Sequence, residues 1–176
     1  TSIGGSSALH NTTDINASIV SEDNKLGLAI FGQNTAKDAW DANGDGFTEL
    51  STISGQTLGF RGYVKTGLYS KITAEYHHLQ EFRRGGDNLN LPPHEAMIAE
   101  QTDHSINTGG LKFDWFSKDQ KHRFNAFASL QHIDRDSYYG AGKDPNAYGN
   151  TTDLTWVGGA QYILKSDNCL FMPADL

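Results

Sequence analysis

Seven stretches of this chain alternate apolar and polar residues with a period of two, which in an extended strand puts one residue class on each face. The stretches are joined by connections that alternate strictly between short turns and loops of about twenty residues. A chain written this way is confined to antiparallel strands with tight turns at one rim and long loops at the other, the plan of a strand-built membrane barrel.

The parity can be followed strand by strand. Ile15, Ala17 and Ile19 oppose Asp14, Asn16 and Ser18, and Leu26, Leu28 and Ile30 continue the pattern. Leu58, Phe60 and Val64 oppose Arg61, Tyr63 and Lys65, and Ile72, Ala74 and Tyr76 oppose Lys71, Thr73 and Glu75. Leu111, Phe113 and Trp115 form a shorter fifth segment, followed by Phe124, Ala126, Ala128 and Leu130 against Arg123, Asn125, Ser129 and Gln131. In the seventh, Leu154, Trp156, Ala160, Tyr162 and Leu164 share one side. An eighth strand is expected to begin after Cys169.

Tight turns are predicted at Ser21–Asn24, Lys65–Gly67, Ser117–Lys121 and from Ser166 through Asn168, where turn-forming Asp, Asn, Ser and Gly gather. Long loops are predicted from about Gln33 to Gln56, Arg83 to Thr108 and Asp134 to Thr152, which hold all but one of the four prolines. Loops of that length are uncommon in compact domains and are usually functional. The fold class expected is therefore all-β: an antiparallel up-and-down meander of about seven to eight strands, part of a large transmembrane β-barrel with three long loops on one side.

Composition agrees without deciding. The hydrophobic fraction of 37% is that of an ordinary globular chain. The mean hydropathy of -0.53 is low, but a barrel with a polar lumen and polar loops scores low as well. No run of about 18 apolar residues exists to form a membrane helix. A net charge of -7 argues against a nucleic-acid partner, which calls for a basic stripe. The single Cys169 forms no internal disulfide. The opening Thr1–Gly5 lacks the features of a signal peptide, and the chain is read as a piece of a longer protein.

Three segments carry a family resemblance: Glu81–Gly86, then Leu91–Ala96 with Ile98–Gln101, and Arg135–Gly149. Together they resemble barrel-domain loops of TonB-dependent outer-membrane receptors, in particular the siderophore and cobalamin type of Bacteroidetes. The resemblance implies that residues 1–176 are a partial receptor barrel domain, roughly the first third of a barrel of about 22 strands. It implies a bacterial outer-membrane location, lipid around the wall, and an active-transport receptor taking up a siderophore, cobalamin or similar small molecule. Uptake would be energised by TonB through the receptor's own plug domain, and neither the plug nor the TonB-contacting segment lies in this sequence.

Two groups of residues stand out as candidate sites. In the first loop Asp41, Asn43, Asp45, the carbonyl of Phe47 and Glu49, with Gly46 at the sixth position, match the first nine positions of a calcium loop. Position twelve is Thr52 in place of the bidentate Glu, so the match is not an EF-hand, and the same residue types also build Asx turns. In the third loop Arg135, Tyr138, Tyr139, Lys143 and Tyr148 are a set suited to a planar or anionic ligand. Trp115, Trp156 and Tyr162 are assigned to aromatic girdles at the rims, and Arg83 and Arg84 to lumen or rim charges.

His77 and His78, with Glu81, are not expected to hold one metal ion, because consecutive strand residues face opposite sides. His94 and Glu95 are within a loop's reach of His104. No Gly-x-Ser-x-Gly, phosphate loop or apolar carboxylate pair is present, and no enzymatic activity is expected. The alternative is a soluble calcium-dependent β-sandwich module for binding or adhesion, which parity alone does not separate from a barrel wall. Loop asymmetry favours the barrel, whose excised strands are expected to self-associate through open edges and an uncovered apolar face.

Overall fold

The computed structural model describes residues 9–166 and 174–175. Its sheet runs in sequence order, β1 (His10–Val20), β2 (Leu26–Lys37), β3 (Phe47–Gly67), β4 (Ser70–Asp87), β5 (Ile98–Phe116), β6 (His122–Ala141), β7 (Tyr148–Ser166) and β8 (Ala174–Asp175). Every neighbouring pair is antiparallel, and β1 and β8 are the two edges of one open sheet. A 3₁₀ turn at Pro93–Glu95 is the one helical element among the described residues. The all-β antiparallel meander expected from the alternation is thus the observed fold.

The strands run further than the apolar alternation does, and this corrects the loop lengths. The connections predicted at about twenty residues shrink to residues 38–46, 88–97 and 142–147, because β2 to β7 continue as paired ribbons well past their last apolar residue. They remain longer than most of the turns at the other rim, at 21–25, 68–69 and 117–121. The turn expected at Lys65–Gly67 falls instead at Leu68–Tyr69, with a register shift between Lys65 and Gly67. The turn at Asp167–Asn168, and Cys169, lie outside the described residues.

Register places equal chemistry in transverse rows. One row, Ile19, Leu28, Gly62, Ala74, Leu111, Ala128 and Gly158, is apolar or small on all seven strands. The next, Ala17, Ile30, Phe60, Tyr76, Gly109, Leu130 and Trp156, lies on the same face. Two rows further along, Thr13, Asn34, Gln56, Gln80, Ser105, Asp134 and Thr152 are all polar. A slip by one residue would turn the whole apolar set of a strand to the other face, so these rows fix the register.

The opposite face is polar, with Gln33 donating to Asp14 at 2.8 Å and Arg61 meeting Glu75 at 3.7 Å. Three of its aromatic residues lie over glycines of the neighbouring strand. Tyr63 occupies the space where a Cβ of Gly27 would be, Phe31 that of Gly59 and Phe127 that of Gly159. Pairs of this kind fill the gap that a glycine leaves in a sheet surface.

No second layer covers either face. The buried core among the described residues is Ala96, Ala99 and Tyr138 alone, while Leu58, Leu111, Leu154 and Trp156 are all at least 60% exposed. Burial of apolar surface, the main driving term of folding in water, is therefore nearly absent within the sheet itself.

Candidate functional site

The apolar face extends across β1 to β7. On β7 the residues of this face from Leu154 to Leu164 span about 33 Å along the strand, which a tilt of about 40° would reduce to about 25 Å, the height of a barrel's lipid-facing band. Aromatic rows lie just inside each end of this span. Phe60, Tyr76 and Trp156 lie in one row, and Trp115, Phe124 and Tyr162 in another, with small and aliphatic residues and Phe113 between. Tyr76 and Trp156 thus sit at the long-connection edge, and Trp115 and Tyr162 at the turn edge. The Tyr76 hydroxyl donates to Asn107 Oδ1 at 2.7 Å, so its polar end finds a partner in the next row toward the long connections. His78 on this face meets Asn107 at 2.9 Å, whereas His77, on the other face, lies 5.1 Å from the ring of Phe31. The two histidines are split as strand parity requires.

Beyond the band, the long-connection rim is held by a small clasp. Tyr138 is fully buried, donates its hydroxyl to the Asp144 carbonyl at 2.9 Å and makes an edge contact with Tyr148 at 4.9 Å. His94 meets the Tyr148 hydroxyl at 2.7 Å and therefore turns to Tyr148, not to His104. Gly142 N–H donates to the Met97 carbonyl, which ties loop 142–147 to loop 88–97. Asp87 caps the second loop by accepting from the amides of Ile98 and Met97 and from Asn88. The Ile98 amide, foremost, holds the Asp87 carboxyl below its ordinary range.

Arg84 sits in the same clasp, 3% exposed, with Nη1 on the Gly85 carbonyl and Nη2 unpartnered. Burial lowers its pKa, with the charge of Asp87 opposing that shift.

The ligand set read from the third loop is divided by this arrangement. Register places Arg135 and Tyr139 on the polar face and Tyr138 and Tyr148 on the other. Lys143 stands at the loop tip with φ of 60°. Tyr138 is closed off, while Tyr139 and Tyr148 are more than half exposed. Near Tyr139 the polar face has an open recess of about 350 Å³ lined by Glu81, Arg83, Glu100, Thr102 and His104. Arg83 is held there by Glu81 through Nε at 2.7 Å and Nη2 at 3.2 Å. Sequence reading set Arg83, Glu100, Thr102, His104 and Tyr139 inside loops. Parity carried on past Glu81 would have placed Arg83, Glu100 and His104 beside Tyr139 on one face.

The Asp41 loop closes on itself. Asp41 accepts from the amides of Gly44 at 2.6 Å and Gly46 at 2.8 Å, Asp45 from Phe47 at 2.8 Å and Glu49 from Ala42 at 2.6 Å. Asn43 is bound to Asp45 through its side-chain amide. Gly44 and Gly46 take φ of 74° and 87°, which this tight path requires. The Gly46 amide, then that of Gly44, lowers the Asp41 pKa against the effect of burial. No three His, Cys, Asp or Glu side chains converge to hold a metal ion among the described residues. The side chains of the candidate calcium ligands Asp41, Asn43, Asp45 and Glu49 thus accept from amides of their own loop, and Phe47 contributes its amide to Asp45.

Comparison with protein-family models, curated proteins and solved structures returns no match.

Proposed function

We propose that this chain forms wall and outer rim of a TonB-dependent active-transport receptor in a bacterial outer membrane, serving uptake of a siderophore, cobalamin or similar molecule. One observation carries the reading: an uncovered apolar face, in register across seven strands and carrying two aromatic rows, whose extent from Leu154 to Leu164 on β7 suits a bilayer. In water a face of this extent demands a cover, and lipid supplies one along every strand at once. The polar opposite face then lines a lumen, and the recess beside Tyr139 and Arg83 lies at the rim where ligand would arrive. The receptor family itself rests on the likeness of the Glu81–Gly86, Leu91–Gln101 and Arg135–Gly149 segments.

Orientation provides the test. In bacteria expressing the chain within its own reading frame, Asp144→Cys is expected to react with a membrane-impermeant maleimide on intact cells. Asp119→Cys, in the turn at the opposite rim, is expected to react only after permeabilisation. Equal labelling at both positions, or recovery of the protein in the soluble fraction, would overturn the proposal.

A further inference from the structure

The short-turn rim carries a basic recess on the polar face. It encloses about 580 Å³, and Lys65, Lys71, Lys112 and Arg123 line it from four successive strands, β3 to β6. Lys65 and Lys71 are direct cross-strand partners, and like charges so placed destabilise a strand pair. Asp114 is the single carboxylate in the lining and is bound to Lys112 at 3.0 Å. Lys71 lies 5.9 Å from the centre of the Tyr63 ring and Arg123 5.7 Å from that of Phe116, so aromatic faces stand where carboxylates would serve better. The chain as a whole has a net charge of -7. Asp38, Asp41, Asp45, Glu49, Asp87 and Glu95 stand at the other rim, while Asp23 and Asp119 in the turns of this one are bound within their own turns. A local excess of cations against that background is a specific feature of this recess.

We propose that the recess docks an acidic polypeptide segment, with one carboxylate between Lys65 and Lys71 and others toward Lys112 and Arg123. Extent and lining favour a peptide over a free inorganic anion. The cations are spread over three strand spacings, about 14 Å, and Leu68, 92% exposed, with Tyr69 and Phe116 offers apolar contact beside them. The inference needs only the polar face and stands whether lipid or another layer covers the opposite one.

The test uses the chain in non-ionic detergent and a fluorescein-labelled peptide of alternating Asp, Glu and Gly, followed by anisotropy at low salt. Binding is expected, with an affinity that falls as salt rises. The Lys65→Gln, Lys71→Gln double variant is expected to bind about tenfold more weakly, as loss of close charge pairing does elsewhere. Lys118→Gln, in the neighbouring turn, leaves binding unchanged. Removing a like-charge pair does not impair folding, and Arg123→Gln gives an independent second variant with the same expected direction. Absence of binding, equal affinity in all variants, or full displacement of the peptide by equimolar inorganic phosphate would overturn the proposal.

Discussion

Tyr138 shows what a single residue does at the long-connection rim. It is the largest buried side chain among the described residues and the joint between loops 88–97 and 142–147, so Tyr138→Ala is expected to cost about 3 kcal/mol, as large-to-small core changes do. Tyr138→Phe removes only the hydrogen bond to Asp144 and is expected to cost about 1 kcal/mol. Hydrogen exchange checks both: amides of the two loops lose protection while those of the apolar rows keep theirs. Acid acts on the same clasp through Asp87. Its folded pKa lies below its ordinary 3.8, because the Ile98 amide favours the carboxylate. Its contribution is therefore complete above that value and is lost as pH falls through the lowered one. Loop 88–97 is expected to open in acid, and Asp87→Asn to remove that pH dependence, measured by amide exchange across the range. Parity alone separates Tyr138 from Tyr139. Enclosure of Tyr138 was not legible, since it depends on loop 142–147 folding back through a bond to a backbone carbonyl that no residue pattern records.

At the scale of the strand, alternation was legible wherever one face is apolar. It fades along the long-connection ends of β4, β5 and β6, where Gln80, Ser105 and Asp134 are polar on the face of the apolar rows and Glu81, His104 and Arg135 on the opposite one. The hydrogen-bonded ladder continues there without a hydrophobic signal, which is why these ribbons read as loops. The turn at Leu68–Tyr69 was missed for the reverse reason, two apolar residues standing where turn-forming types are usual. Gly86 marks the end of β4. Its φ is 108°, and a Cβ there would collide with the Ile98 carbonyl. Gly86→Ala is expected to part the top of the β4–β5 pair, seen as faster exchange at Ala99 and Glu100 with the turn at 68–69 unchanged.

For the molecule as a whole, one sheet with two open edges and an uncovered apolar face has no compact solution in water. Sedimentation is expected to show assemblies larger than a monomer without detergent, and monomers once detergent covers the face. The three tryptophans allow a direct test of where that face lies. Trp115 and Trp156 belong to its aromatic rows, whereas Trp40 stands in the connection between β2 and β3, bridged to Leu50. The decisive measurement is fluorescence quenching of single-tryptophan variants by brominated acyl chains, with the chain reconstituted in phospholipid vesicles. Strong quenching of Trp115 and Trp156 with little at Trp40 is the result expected of a lipid-facing wall. Equal quenching of all three, or none at Trp115 and Trp156, would contradict it.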